Sequence, residues 1–115
     1  MRNTKTHTVT YKKKLSKCKT VFKAYSPLQF AYGNELEGNS DIAEIKCNVP
    51  IEVSDLEGSF TTDFYCIKTD GEIMVRECVY KNKLLKPYYI KTLDVSRNYW
   101  LAKGITDWGL VLDAD

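Results

Sequence analysis

The sequence predicts an α/β domain, a small mixed central sheet flanked by helices. Three observations predict it. Residues 59–68 and 72–80 both alternate apolar and polar side chains, the period of a strand, on either side of Thr69-Asp70-Gly71. Ser26-Pro27 opens a stretch with apolar residues at helical spacing, Ser being a good N-cap and Pro tolerated at the first helical position. The run from 72 to 113 reads as strand, helix, apolar strand, a βαβ crossover that sets 72–80 and 107–113 parallel.

Taken in order, Thr8-Val9-Thr10-Tyr11 is expected to form a short strand. The helix that begins at Ser26-Pro27 carries Leu28, Ala31, Tyr32 and Leu36 as its apolar stripe and ends at Gly38-Asn39-Ser40. Residues 42–47 and 49–54 are expected to be two short strands split by Asn48, with Pro50 at an edge or bend. Glu57-Gly58 is a turn. In 59–68, Phe60, Thr62, Phe64 and Cys66 share one face, and Thr61, Asp63, Tyr65 and Ile67 the other. In 72–80, Ile73, Val75, Glu77 and Val79 go together. Residues 81–87 form a basic loop with Lys81, Lys83 and Lys86. A helix over 87–103 buries Ile90, Leu93, Trp100 and Leu101, and Gly104 ends it. Trp108 is expected in the core.

Bulk properties bound the function. The chain has 115 residues, one domain's worth, and 43% are hydrophobic, enough for a packed core. No apolar run approaches the roughly 18–20 residues that span a bilayer, and the basic N-terminus has no apolar stretch behind it, so a cytoplasmic protein without membrane contact is expected. Cys18, Cys47, Cys66 and Cys78 are irregularly spaced without a Cys-x-x-Cys, against a zinc site. Cys47, Cys66 and Cys78 lie in strand-like runs and read as small core residues. His7 is the one histidine and sits in a polar N-terminal stretch, which disfavours Ser-His and Cys-His nucleophile schemes.

The net charge of +2 hides an asymmetry. Residues 1–23 hold eight Lys and Arg and no acid, whereas residues 24–115 hold nine basic and fifteen acidic residues. The division is therefore a basic arm, 1–24, before a domain, 25–115. A basic arm on an acidic body points to an anionic partner, and Lys12, Lys13, Lys14 and Lys17 suit phosphates such as those of double-stranded DNA, with Lys83 and Lys86 as further candidates. The bland alternative is a solvated tail.

The candidate chemistry lies in Asp63 and Glu77. Two carboxylates on adjacent strands of a rigid sheet are what a hard divalent cation such as Mg²⁺ or Mn²⁺ needs, although acidic residues on strands are more often simply solvated. Hairpin register decides between these. A two-residue Asp70-Gly71 loop pairs residue 63 with 78 and sets the acids on opposite faces. A three-residue Thr69-Asp70-Gly71 loop pairs 63 with 77 on one face, and that loop class wants glycine in its third position.

The pattern resembles the N-terminal catalytic domain of the TnsA family, the endonuclease subunits of heteromeric transposases, over roughly residues 25–112. Tyr25-Ser-Pro-Leu-Gln29 resembles the helix opening, and Phe60-Thr-Thr-Asp-Phe64 the strand with the catalytic aspartate. Asp70-Gly71 followed by Glu72-Ile-Met-Val-Arg-Glu77 resembles the hairpin leading to the second ligand. Ser96-Arg-Asn-Tyr-Trp100 and Gly104-Ile-Thr-Asp-Trp-Gly109 resemble the closing helix and strand. The resemblance implies a restriction-endonuclease-like fold and Mg²⁺-dependent cleavage of DNA at transposon ends, made with a separate integrase-type transposase subunit. It implies Asp63 and Glu77 as metal ligands and the Cys78 carbonyl as a third oxygen. The chain departs from the family at two places. Val79 stands where the family has a lysine, leaving Lys81, which has the same strand parity, or Lys83 and Lys86 from the loop. Gln29 stands where the family has a helix glutamate; Glu37 lies on nearly the same helical face but about 12 Å further along the axis. Longer family members carry a further C-terminal region for partner contact, so a minimal form, or docking through another surface, is expected here. A nuclease fold that binds DNA or a transposase partner without cleaving is the alternative, and an unrelated α/β interaction module is a third. Tyr88, Tyr89, Tyr99 and Trp100 are expected to pack rather than stack on bases.

Overall fold

A computed structural model describes residues 11–53 and 58–114. In chain order these form β1 (Tyr11–Lys13), β2 (Phe22–Ala24), α1 (Pro27–Glu37), β3 (Ile42–Ile51), β4 (Phe60–Lys68), β5 (Ile73–Val79), a 3₁₀ turn at Lys81–Lys83, α2 (Pro87–Ala102) and β6 (Asp107–Leu112). A four-stranded mixed sheet runs β3-β4-β5-β6, antiparallel except for the parallel β5–β6 pair that the crossover through α2 requires. β1 and β2 form a separate antiparallel hairpin. The α/β class and the parallel closing strand are as the sequence predicts. Among the described residues no helix is long and apolar enough to cross a membrane.

The hairpin changes the predicted organisation. Residues 8–10 of the expected first strand, and His7, lie outside the described residues, but 11–24 are not a tail. Leu15, Phe22 and Ala24 are buried in the main core with Ile45, Phe64 and Cys66. Apolar residues interleaved with the lysines supply an inward face, and lysines occupy the outward one. Phe22 stacks near Phe30 and tilts against Phe64, with centroids 6.1 and 5.9 Å apart.

α1 starts as predicted, with Ser26 Oγ accepting the Gln29 N–H at 3.1 Å. Of its predicted stripe, Leu36 is buried and Tyr32 packs half-buried against the core, but Ala31 is exposed and Leu28 only half-buried, and Gln29 and Gly33 complete the buried side. Gln29 and Gly33 each follow a predicted residue by one, and Phe22 accounts for the shift at Gly33. A Cβ on Gly33 would lie 2.3 Å from Phe22 Cζ, so only glycine lets the ring lie against the helix. Residues 42–51 are one strand, not two: Asn48 takes φ +54 inside it, a left-handed conformation that asparagine tolerates, and pairing resumes beyond it. Of the predicted 57–58 turn, Glu57 lies outside the described residues.

α2 covers the other face. Trp100 is buried as predicted and Leu93 half-buried, whereas Ile90 and Leu101 are exposed and Ser96 takes a buried place outside the predicted apolar side. Trp100 lies 5.3 Å from Tyr65, and Tyr99 lies 5.7 Å from Phe60, so these aromatics pack as expected. Past the helix, Gly104 N–H donates to Leu101 O (2.9 Å) and Ile105 N–H to Trp100 O (3.0 Å), a Schellman ending. β6 is an edge strand, which leaves Leu110 and Leu112 exposed despite its apolar sequence. Asp107 ties it to the sheet through Lys68 and Arg76, each at 2.8 Å. The Lys68 hydrogen bond, reinforced by Arg76, holds the Asp107 carboxyl below its ordinary range.

Cys66 is buried, and Cys47 and Cys78 are half-buried. Burial pushes the Cys66 thiol up to about 12, so it packs as a neutral apolar group.

Candidate metal and DNA site

The turn joining β4 to β5 sets the site's geometry. Lys68 N–H bonds to Glu72 O at 2.8 Å, and Gly71 N–H bonds back to Lys68 O at 2.9 Å. Thr69-Asp70-Gly71 is thus a three-residue loop, with Gly71 at φ +90 where that loop needs a left-handed residue. The ladder from Ile67–Ile73 to Phe64–Arg76 then brings Asp63 beside Glu77 at its next step. This is the register that a shared face requires.

Both acids are almost fully buried, Asp63 at 1% and Glu77 at 3% relative exposure. The regular β4–β5 pairing stops at Phe64–Arg76. Beyond it the carboxylates bridge the strands. Asp63 N–H donates to Glu77 Oε1 (3.1 Å), and Cys78 N–H donates to Asp63 Oδ2 (2.7 Å). From α2, Ser96 Oγ–H donates to Glu77 Oε2 (2.7 Å), and Ser96 Oγ accepts Trp108 Nε1–H from β6 (3.0 Å). Trp100 Nε1–H donates to Thr62 Oγ1 (2.9 Å). Buried charge needs such partners, and here backbone, hydroxyl and indole groups supply them. Trp108 is half-buried and acts through this bond at the rim of the core.

Two side-by-side carboxylates are hard oxygen donors of the type Mg²⁺ and Mn²⁺ favour, usually with one or two carboxylates and retained water. Cys78 follows Glu77 directly and is already tied to Asp63. Among the described residues no group of three or more His, Cys, Asp or Glu side chains gathers as a metal-ligand set.

The other predicted site residues are dispersed. Val79 is buried. β5 ends there, and Lys81 opens the 3₁₀ turn with its N–H on Asp113 Oδ1 at 2.6 Å. The parity argument that carried Lys81 to the face of Glu77 therefore fails, because the strand does not continue. Lys83 reaches over the Tyr89 ring at 5.9 Å, and Lys86 is exposed ahead of α2. Gln29 is buried, but both ends of its amide are engaged elsewhere: Oε1 accepts Tyr25 N–H (2.9 Å), and Nε2 donates to Asn48 Oδ1 (2.8 Å). Glu37 accepts from Ser16 Oγ, Ser16 N–H and Lys17 N–H. The Ser16 hydroxyl chiefly holds its carboxyl below the ordinary range. Glu37 fastens the hairpin loop to α1 and does not join Asp63 and Glu77.

The arm lysines separate into two sets. Lys13 Nζ donates to Asn34 Oδ1 (2.7 Å), and Lys17 Nζ donates to Asn39 O (2.6 Å) and Leu36 O (3.2 Å), capping the C-terminal end of α1. Lys12 and Lys14 are exposed. Arg76 is spent on Asp107 and on the Val75 and Asp107 carbonyls.

Sequence reasoning missed Ser96 and Asn48. Ser96 lies four residues before Trp100, hence on the same face of α2, and a hydroxyl on a buried face signals a polar partner. Asn48 interrupts an otherwise strand-like run, the sign of a left-handed position.

No family model matches the chain, and no curated protein matches it.

Proposed function

We propose that the protein is a Mg²⁺- or Mn²⁺-dependent DNA endonuclease subunit of restriction-endonuclease-like fold. It hydrolyses phosphodiester bonds at transposon ends in the cytoplasm, together with an integrase-type transposase subunit. The observation that carries this reading is the placement of Asp63 and Glu77 together by the three-residue turn, in the register that a shared metal needs. Asp63, Glu77 and the Cys78 carbonyl would hold the ion. When bound, the metal supplies an activated water and neutralises charge on the phosphate. The protein's own part is positioning: Cys78 N–H orients Asp63, and Ser96 with the Asp63 N–H orients Glu77.

The placement of four residues favours a second reading, a nuclease fold that binds DNA or its transposase partner without cutting. Val79 is buried at the family's lysine position, Lys81 leaves the strand, and Gln29 and Glu37 serve structural bonds.

The test is calorimetric titration of Mg²⁺ or Mn²⁺ into wild type and Asp63→Asn, with and without duplex DNA, alongside nicking of supercoiled plasmid. The substituted amide keeps the shape of Asp63 and an acceptor for Cys78 N–H, so the fold is expected to persist. Metal binding and any nicking are expected in wild type and lost in the variant. Full activity in Asp63→Asn, or no metal binding by wild type even with DNA, would overturn the nuclease reading. Retained DNA binding in the second case would leave the non-cleaving one.

A further inference from the structure

An open groove of about 560 Å³ lies where β2 meets β3, lined by Thr20, Val21, Lys23, Tyr25, Cys47 and Asn48. Three observations give it a function. First, Lys23 stands directly opposite Lys12 across the β1–β2 hairpin. Like charges at directly opposed strand positions are destabilising. Both lysines are exposed, and neither is paired with an acidic side chain among the described residues. Inside the fold this repulsion has no return; an anion between or beside the two ammonium groups supplies one. Second, the groove's floor is fixed. Asn48 Nδ2 donates to Lys23 O (2.7 Å) while Asn48 Oδ1 accepts from the buried Gln29 (2.8 Å), locking β2, β3 and α1 together. Third, the groove borders β3, the strand that pairs with the one carrying Asp63. Pairings Cys47–Phe64 and Val49–Thr62 leave Asn48, in the groove's lining, across from Asp63.

We infer that this groove seats the sugar–phosphate backbone of duplex DNA, with Lys23 in its lining and Lys12 opposite it across the hairpin as the phosphate contacts. The substrate class rests on the nuclease reading, but the seat is tested without cleavage. It also divides the work of the basic segment: Lys13 and Lys17 hold α1, while Lys12 and Lys23 face the ligand.

The experiment is fluorescence anisotropy with a short labelled duplex, in metal-free buffer over a series of salt concentrations. It compares wild type, the double variant Lys12→Gln/Lys23→Gln, and Lys91→Gln on the exposed side of α2 as a control. Removing one lysine–phosphate pair lowers the salt slope by about 1, so the double variant's slope is expected to be shallower by about 2, with weaker binding at every salt concentration. Its melting temperature is expected to be unchanged or higher, because a repulsive pair is gone, and Lys91→Gln is expected to match wild type. An unchanged affinity and slope in the double variant, or no duplex binding by wild type, overturns the seat. The two readings fail separately. Loss of binding in the double variant alongside an Asp63 that takes no metal keeps the groove and removes the nuclease; metal binding at Asp63 with an unaffected double variant does the reverse.

Discussion

At the scale of single residues, Ser96 links the candidate site to the rest of the fold. Its hydroxyl is a donor to Glu77 and an acceptor for Trp108, so one buried oxygen joins α2, β5 and β6. Replacing it by alanine leaves a carboxylate oxygen and an indole N–H each short of a partner in a nearly dry setting. Leaving buried polar groups unsatisfied costs about 1–3 kcal/mol. Ser96→Ala is therefore expected to be less stable by about that amount in urea unfolding, and to bind divalent metal more weakly because Glu77 is no longer held. Ser96→Thr, which keeps the hydroxyl, is expected to recover most of the metal affinity. Wild-type stability and metal affinity in Ser96→Ala would mean that the bond does no positioning. A purely structural role would lower stability in Ser96→Ala and leave the metal titration untouched.

At the scale of elements, the β4–β5 hairpin was the most legible part of the chain, because three independent signals agree there. Period-2 alternation marks the strands, Asp70-Gly71 marks the turn, and the shared face for Asp63 and Glu77 demands one loop length. Gly71 is the hinge of that agreement. A Cβ there meets nothing within 4 Å, so the whole cost of substitution is backbone conformation at φ +90. The left-handed region costs roughly 1–2 kcal/mol for most residues and less for asparagine. Stability by urea unfolding is thus expected to fall in the order wild type, Gly71→Asn, Gly71→Ala, Gly71→Val, although valine is the best strand former of the three. An order that follows strand propensity instead would show that the turn is not the three-residue form. The helices were legible in span and, through Leu36 and Trp100, only in part of their buried faces. Tyr32 and Gly33 are neighbours, and the shift to Gly33 depends on Phe22, a contact distant in sequence that periodicity does not encode. In α2, Trp100 was legible, but Ser96, donating to Glu77, holds an inward place that an apolar pattern does not mark, and Ile90 and Leu101 face outward. Asp63 and Glu77 were readable from their strands. Their partners, and the structural engagement of Gln29 and Glu37, were not, since each depends on tertiary contacts.

At the scale of the whole molecule, the question is whether the basic segment is an appendage or part of the domain. Charge alone divides the chain near residue 24, and residues 25–115 contain every strand of the main sheet and both helices. Burial draws a different line. Leu15, Phe22 and Ala24 fill one side of the same core as Ile45, Phe64 and Cys66, and Glu37 and Lys17 tie the hairpin loop to α1. Fully burying one large apolar side chain contributes about 1.5–3 kcal/mol, and whole-domain stability is about 5–15 kcal/mol. Removing Leu15 and Phe22 together therefore takes a large share of that margin and bares Phe64 to water. A chain beginning at Tyr25 is expected to lose its cooperative thermal transition and to bind a hydrophobic dye, as expanded states with exposed cores do. A sharp two-state melt in that truncated chain would show that the sheet and two helices suffice, and the hairpin would revert to a detachable arm. The expected result instead makes the lysines of the hairpin fixed features of a rigid surface, held at a set place relative to Asp63. Only in that case does the groove between β2 and β3 have a defined shape to offer a duplex.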